Sequence, residues 1–134
     1  MESIQLPATL ANLEKLIDFA VGCAKKLGFE GQSLSDIRLA SEEALVNVIN
    51  YAYPSKEGNI EVSCEDMSGK GLKLEIKDSG IAFDPLSLPT PDLTLPMEQR
   101  KIGGMGIFMI RKVMSSVTYR RENGKNILTL TKLK

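Results

Sequence analysis

Residues Asp78 to Pro85 read DSGIAFDP, and residues Gly103 to Ile107 read GGMGI, about 25 positions further along the chain. The first segment places a carboxylate at the end of an alternating, strand-like pattern, and the second opens a helical pattern with glycines. A carboxylate can accept hydrogen bonds from a nucleotide base, and free backbone N–H groups at a helix N-terminus can hold phosphates. The two segments together therefore predict a nucleotide site.

The patterns on either side of these segments predict an α+β protein. Apolar residues recur at helical spacing over residues 10–27, from Ser33 or Ser35 to about Ala52, and over 106–114. Strands are predicted where apolar and polar residues alternate, at 2–6, 59–65, 72–77, 116–122 and 126–132. The last four strands form two hairpins, and hairpins pair antiparallel. We therefore expect a two-layer α/β sandwich rather than a doubly wound parallel sheet.

A third informative element lies upstream, in the second predicted helix. Glu43 and Asn47 are four residues apart, so their side chains are neighbours on one face of that helix. One interpretation is a solvated polar face, which is typical of amphipathic helices. The other is a catalytic pair, in which the Asn47 side-chain oxygen binds Mg²⁺ and Glu43 positions or deprotonates an attacking hydroxyl.

The two opening segments also have purely structural interpretations. Asp-Ser-Gly is common in turns, so Asp78 alone favours a turn, and glycines before a helix can act as a hinge. The glycine segment is not a Walker loop, because no Gly-Lys-Ser/Thr is present, and it is not a Rossmann fingerprint, because a loop precedes it. Arg100 and Lys101 lie beside it, where they either add positive charge to a phosphate site or are simply solvated.

Length and composition exclude several classes of function. The 134 residues fit a single domain over 1–134, and 17 basic residues balance 17 acidic ones, so nonspecific binding to nucleic acid or membranes is not expected. The absence of histidine excludes histidine-dependent nucleophiles, a phospho-accepting histidine and most zinc sites. No apolar run approaches the ~20 residues that span a bilayer, and no signal peptide is apparent, so we expect a cytoplasmic protein. Cys23 and Cys64 are then expected to be free thiols in apolar surroundings.

The three elements occur in the order Glu-x-x-x-Asn, Asp-x-Gly-x-x-Phe and Gly-Gly-x-Gly. This order resembles the N, G1 and G2 boxes of the GHKL ATPase superfamily, which includes gyrase, Hsp90, histidine kinases and MutL. Within it, the chain is most similar to the stand-alone anti-sigma factor serine/threonine-protein kinases, and the similarity extends to residues 119–130. The resemblance implies a Bergerat-type ATP site in a mixed, mostly antiparallel sheet that helices cover on one face.

The resemblance also implies a role for each matching residue. Asn47 would bind Mg²⁺ and the nucleotide, Asp78 would bind adenine, and Glu43 would be the base for phosphoryl transfer to a protein serine. Residues 84–102, which hold four prolines, would form a lid over ATP. The remaining residues that the resemblance places at the nucleotide are Gly80, Phe83, Lys101, Gly103, Gly104, Met105 and Gly106.

Members of this family bind a sigma factor in one state and phosphorylate a STAS-domain anti-anti-sigma protein in the other, often as homodimers. The predicted function is therefore that of an ATP- and Mg²⁺-dependent anti-sigma factor kinase. One alternative is a non-catalytic ATP-binding regulator that sequesters a sigma factor or another protein. Two others are the catalytic domain of a histidine kinase and an α+β domain without nucleotide. The chain departs from the family at Ile102, where some members carry arginine, and in its longer, proline-rich lid.

Overall fold

The structure of the protein, a computed structural model, describes residues 1–54, 56–87 and 104–134. Along these residues the helices and strands are β1 (Glu2–Pro7), α1 (Leu13–Lys26), α2 (Gly31–Tyr51), β2 (Asn59–Asp66), β3 (Gly71–Asp78), α3 (Gly104–Val113), β4 (Ser116–Glu122) and β5 (Lys125–Leu133). Single turns of 3₁₀ helix cover Leu10–Asn12 and Pro85–Ser87. The predicted α+β order is confirmed, and the observed ends lie within a few residues of the predicted ones.

The five strands form one sheet in the order β1-β2-β3-β5-β4. The expectation of a mostly antiparallel sheet is confirmed, and among the residues described here every neighbouring pair is antiparallel. β3 and β4 run in the same direction, but β5 lies between them and pairs with both. β5 thus separates β3 from β4, so these two parallel strands do not pair with each other.

Two tight turns fix the registers of the hairpins. Ser68 and Gly69 have φ of 55° and 78°, and Asn123 and Gly124 have φ of 52° and 76°. Two consecutive residues with positive φ are the mark of a type I′ turn, whose twist matches that of the paired strands. The β4–β5 turn aligns β5 so that Asn126, its second residue, lies opposite the last residue of β3.

The core lies between the helices and one face of the sheet. Leu74 of β3 and Leu130 of β5 are fully buried, and they belong to the same cluster as Leu45 of α2. Burying each such side chain stabilises the fold by about 1.5–3 kcal/mol. Alternate positions on the strands carry charge instead, as where Glu75 accepts from Arg120 at 3.3 Å. Within the described ranges, no helix is long and apolar enough to cross a membrane.

The cysteines correct one expectation from the sequence. Cys23 of α1 and Cys64 of β2 are joined in a disulfide, with their Cα atoms 6.7 Å apart, and are not the free thiols that we expected. They are 41 residues apart, and only the packing of α1 on the core face of β2 brings them together. Sequence spacing carries no information on such a long-range contact.

A largely buried ion pair ties β5 to two helices. The Lys132 ammonium donates to Asp36 of α2 at 3.1 Å and also to the backbone carbonyl of Val113, the last residue of α3. The pKa of Asp36 lies below its usual range, mainly because Gln32 donates to it and further because of Lys132. The cation also suits the negative end of the α3 dipole. Lys132 therefore fixes the C-terminal end of the helix whose first turn carries the predicted phosphate site.

We expect Lys132→Met to lower the free energy of unfolding by about 1–3 kcal/mol at neutral pH, because a largely buried carboxylate loses its cation, keeping the Gln32 donor, and the Val113 carbonyl at the end of α3 loses the Lys132 donor. Since the folded-state pKa of Asp36 is lowered, its contribution is present above its unfolded pKa and is lost as pH falls through the folded one. Urea unfolding at neutral and acid pH should show a smaller loss at acid pH. Lys73→Met, at an exposed pair of 3.8 Å with Glu65, is the matched control and should change little.

Candidate functional site

The glycine-rich start of α3 lies directly beside the Glu-x-x-x-Asn face of α2. A Cβ atom at Gly106 would lie 3.0 Å from Glu43 Oε2 and 3.6 Å from Asn47 Nδ2. The absence of a side chain at this position therefore keeps open the space in front of both polar groups. The structure thus brings the Glu-x-x-x-Asn segment next to the glycine-rich segment, although Asn47 and Gly106 are 59 positions apart in the sequence.

The environment of Glu43 suits a proton acceptor. Partial burial raises the pKa of its carboxyl, and the neighbouring charge of Glu42 raises it further. A carboxylate with a raised pKa is a stronger base than an exposed one, so it takes a proton more readily from a hydroxyl. Its position beside Gly106 places this carboxylate next to the N-terminal turn of α3, and helix N-termini in general favour anions such as phosphate.

Asp78 is held at the end of β3 with only 5% of its surface exposed. Its Oδ1 accepts hydrogen bonds from the Gly80 N–H at 2.9 Å and from the Asn126 side-chain amide at 2.9 Å. Among the described residues, no donor is bonded to Oδ2. The carboxylate is therefore fixed by one oxygen and offers the other to a ligand donor, such as an exocyclic amino group.

Asn126 organises the surroundings of Asp78, although no motif in the sequence marked it as a site residue. Its amide NH₂ donates to Asp78 Oδ1 and, at 2.7 Å, to the Ile81 carbonyl. Its Oδ1 accepts from the Tyr119 hydroxyl at 2.6 Å and from the Phe83 N–H at 3.3 Å. Because both sides of the amide are bonded to groups of fixed polarity, its orientation is unambiguous. Its place after an Asn-Gly turn was visible in the sequence, but the pairing of β5 with β3 was not.

An apolar slot runs between Asp78 and the face of α2. Asn47, Val48, Ile76, Phe83 and Leu128 line it together with Asp78, and its free volume is about 30 Å³. The Phe83 ring stacks on Tyr51 of α2, with centroids 5.9 Å apart. Flat apolar walls with one buried acceptor suit a purine base. Because the slot is smaller than a purine, it must widen to admit one.

A larger cavity of about 260 Å³ lies nearby but has a different character. It is lined by polar groups that include Gln5, Tyr53, Lys77 and Ser79, and it is more open to solvent. A base gains little by leaving water for such a surface, because polar lining does not supply apolar contact. The smaller slot, with its apolar walls, is therefore the better candidate for a base-binding site.

Gly80 is required by a close approach of the backbone. A Cβ atom there would lie 2.2 Å from the carbonyl oxygen of Ala52, at the end of α2, and the next N–H, that of Ile81, donates to this oxygen at 2.9 Å. Tyr53 strengthens the same junction, since its hydroxyl accepts from the Ser79 N–H at 2.8 Å. The loop after Asp78 is thus attached to the end of the helix that carries Glu43 and Asn47. The prediction that Gly80 borders the base stays a prediction.

We expect Gly80→Ala to lower the free energy of unfolding by about 1–3 kcal/mol, because the added methyl overlaps a backbone carbonyl that cannot move independently of α2. Nucleotide affinity should fall with it, since the displaced loop carries the N–H that holds Asp78. Gly22→Ala is the control: a Cβ atom there meets nothing within 4 Å, and alanine favours the helix. Urea unfolding of both variants measures the contrast, and equal stabilities would contradict the close approach.

Several predicted site residues cannot be placed. Gly103, Lys101, Arg100 and the part of the lid over 88–102 lie outside the described residues. Gly104 and Met105 form the start of α3. In the described start of the lid, Asp84 accepts from the Leu86 N–H at 2.9 Å, and Arg111 of α3 donates to the Leu86 carbonyl at 3.2 Å. The segment after Phe83 is therefore attached to α3 on one side of the slot.

Comparison with known proteins identifies related chains. Residues 6–132 match the family described as the histidine kinase-like ATPase domain. The serine/threonine-protein kinase BtrW of Bordetella bronchiseptica is 31% identical over 96 residues, which cover 71% of this chain and 67% of that one. The serine-protein kinase RsbW of Bacillus cereus is 25% identical over 111 residues, which cover 80% and 69%. The family resemblance that the three sequence motifs indicated is thereby confirmed, and so is the predicted class of enzyme, a protein serine/threonine kinase.

Two solved structures share the fold. One contains RsbU and RsbW domains from Mycobacterium tuberculosis, with a TM-score of 0.63 and 14% identity over 99% of this chain. The other is the histidine kinase domain of a blue-light activated kinase from Erythrobacter litoralis, with a TM-score of 0.54 and 14% identity over 92% of this chain. This chain spans 32% of the first structure and 59% of the second. From the match over residues 6–132 and the arrangement of the site, the chain belongs to the histidine kinase-like ATPase domain family.

Proposed function

We propose that the protein is an ATP- and Mg²⁺-dependent serine/threonine-protein kinase that phosphorylates a STAS-domain anti-anti-sigma protein and, in its other state, binds a sigma factor. The observation that carries the proposal is the convergence of Glu43, Asn47 and Gly106 at one end of the slot that Asp78 lines. The two named relatives, both protein kinases, support the reaction type. The STAS protein and the sigma factor come from the family resemblance.

The base and the phosphates have separate binding groups. Asp78, fixed by Gly80 and Asn126, would accept from the amino group of adenine, while Phe83 and the other apolar walls contact the ring faces. The N-terminal turn of α3, with Gly104 and Gly106, would hold the phosphates through its free N–H groups. Gly103, Met105 and Lys101 complete the proposed nucleotide set. Guanine presents a carbonyl where adenine presents its amino group, so the carboxylate selects adenine.

The residues at the phosphate end fit a magnesium ion. Asn47 offers a side-chain oxygen, and the Glu43 carboxylate lies beside the same glycine. We propose that Asn47 holds the ion, whose charge would offset that of the phosphate oxygens. Few protein ligands are needed, since Mg²⁺ is commonly bound through one or two side chains and substrate phosphates.

Glu43 is proposed as the general base for transfer. Its carboxylate would accept the proton of the substrate serine as the serine oxygen bonds to the terminal phosphorus and the bond from phosphorus to the ADP oxygen breaks. Most of the rate increase in such reactions comes from positioning and charge stabilisation, and no covalent enzyme intermediate is required. The raised pKa of Glu43 suits it to the proton transfer.

The partner of the reaction can be tested directly. Labelled ATP, Mg²⁺ and the cognate STAS-domain protein should give a labelled serine on that protein. ATP binding by calorimetry without transfer to any candidate would favour the alternative of a non-catalytic, nucleotide-binding regulator. Failure to bind ATP at millimolar concentration would contradict both the kinase and the nucleotide-binding regulator. We also propose a homodimer in the cytoplasm, and light scattering with and without ATP tests the oligomeric state.

A further inference from the structure

A second cluster of chemically active side chains lies at the outer edge of the sheet, away from the proposed nucleotide site. Glu2 of β1 and Cys64 of β2 are directly opposite each other in the strand register, and α1 places Cys23 beside them. One ligand atom from each residue lies within 4.8 Å of the other two. Cys64 is four residues along β2 from Ile60, the partner of Asp78, so the cluster lies about 13 Å further along the strand.

We propose that in the reduced protein Cys23, Cys64 and Glu2 bind a thiophilic divalent cation of the zinc class, and that the disulfide is the oxidised, metal-free state of the same site. Two thiolates and a carboxylate form a donor set that zinc accepts without histidine. Glu2 Oε2 lies 3.5 Å from Cys23 Sγ. A tetrahedral ion with bonds of about 2.3 Å to sulfur and about 2.0 Å to oxygen imposes nearly that separation, roughly 3.5 Å. The proposal does not depend on the proposed kinase activity.

Lys26 orients the carboxylate of this site. Its ammonium lies 3.1 Å from Glu2 Oε1 and 3.4 Å from Oε2, so the bond is stronger to the oxygen that faces away from Cys23. A donor on the outer oxygen holds the other one toward a metal, which is the usual arrangement around ligating carboxylates. A lysine ammonium has no lone pair and does not itself bind the ion.

The site has access and room for a fourth ligand. A cavity of about 170 Å³ adjoins it, lined by Glu2, Cys23, Lys26, Cys64 and Asp66 among others. Both cysteines are more than nine-tenths buried, at 4% and 7% exposure, so the cavity is the route by which an ion or a small reductant reaches them. A water molecule from the cavity would complete the four ligands that zinc takes.

The exchange between the two states is balanced in electrons and protons. A dithiol reductant transfers two electrons and two protons to the disulfide; the sulfur–sulfur bond breaks, two thiols form, and the reductant becomes a disulfide. Binding of the cation then releases the two thiol protons, so affinity rises with pH. In the reverse direction a disulfide oxidant takes two electrons from the two thiolates and two protons from solvent and becomes two thiols, while the sulfur–sulfur bond of the protein reforms and the ion is released.

Cobalt(II) is the direct probe, because cobalt bound to thiolates has a charge-transfer absorption that cobalt bound to oxygen lacks. The full chain, reduced with a dithiol that is then removed, should bind one Co²⁺ with this absorption, and Zn²⁺ should displace it. The chain with its disulfide intact should show none. Absence of the absorption in the reduced chain, or equal binding by the oxidised chain, would overturn the proposal.

Substitutions at the three proposed ligands, compared with one outside the cluster, test which side chains bind the ion. Cys64→Ser and Cys23→Ser should each abolish the thiolate absorption, with folding verified by circular dichroism without metal. Glu2→Gln should weaken zinc affinity by at least about 10–100-fold, measured by competition with a chromophoric chelator, because loss of a ligand costs no less than loss of a ligand's outer hydrogen-bond partner. Glu14→Gln is the matched control, since Glu14 also accepts from a basic side chain, Arg38, at 2.7 Å, but lies outside the cluster. If Glu2→Gln and Glu14→Gln bind zinc equally, the carboxylate ligand and the proposed site are wrong.

Discussion

Replacing Asp78 by asparagine is expected to lower ATP affinity by at least about 100-fold, or ~2.8 kcal/mol at 1.4 kcal/mol per tenfold. The carboxylate accepts from Gly80 and Asn126 on one oxygen and leaves the other for the base. Asparagine keeps the shape, but it presents an NH₂ either to those two donors or to the adenine amino group. Each orientation sets donor against donor in a nearly dry site, where an unmade hydrogen bond is expensive.

Calorimetric titration with a non-hydrolysable ATP analogue and Mg²⁺ measures this loss. Asp84→Asn is the matched control, because Asp84 belongs to the same segment but is exposed, and within the described residues its carboxylate accepts only from the backbone N–H of Leu86. The thermal unfolding midpoint of Asp78→Asn reports whether the loop itself has moved. Equal ATP affinities for the two variants would show that Asp78 does not read the base.

Replacing Glu43 by glutamine is expected to slow phosphoryl transfer by about 10²–10⁴-fold while ATP affinity changes little, because a general base acts on the transition state and hardly on nucleotide binding. Since burial and the charge of Glu42 raise the pKa of Glu43, the base is lost to protonation at a higher pH than for an exposed glutamate. The transfer rate should therefore rise with pH through this raised pKa and level off above it.

Single-turnover transfer to the STAS-domain protein, measured across pH, tests both statements. Glu43→Gln should slow the transfer, and the remaining rate should no longer rise with pH through the pKa of Glu43. Glu42→Gln is the control: it keeps the base and removes the neighbouring charge, so the rise of the rate with pH should move to lower pH, and the plateau should fall only slightly because the base is slightly weaker. A Glu43→Gln variant with an unaltered transfer rate would exclude this residue as the base.

The elements of the fold were predictable because each depends on local pattern. Alternation identified β2 and β3, helical spacing identified α1 and α2, and Asn123-Gly124 identified the final turn. The proximity of Glu43 to Asn47 was predictable because one helix carries both residues four positions apart. The hydrogen bonds of the Asn126 side chain were not predictable, because its partners lie on three other segments that only the completed sheet brings together. The pairing of Cys23 with Cys64 was missed for the same reason.

The position of β5 has a consequence for how the chain is made. This last strand lies in the interior of the sheet, paired on both sides, and it also supplies Asn126 and Lys132. The pairing of β3 with β5 joins residues that are 48 positions apart at Asp78 and Asn126 and 62 apart at Gly71 and Leu133, so it forms late and slowly. During synthesis the sheet therefore stays incomplete, with one edge of β3 unpaired, until β5 has left the ribosome. Deletion of β5 alone should prevent the whole domain from folding, because β3 and β4 would both lose the strand that pairs with them.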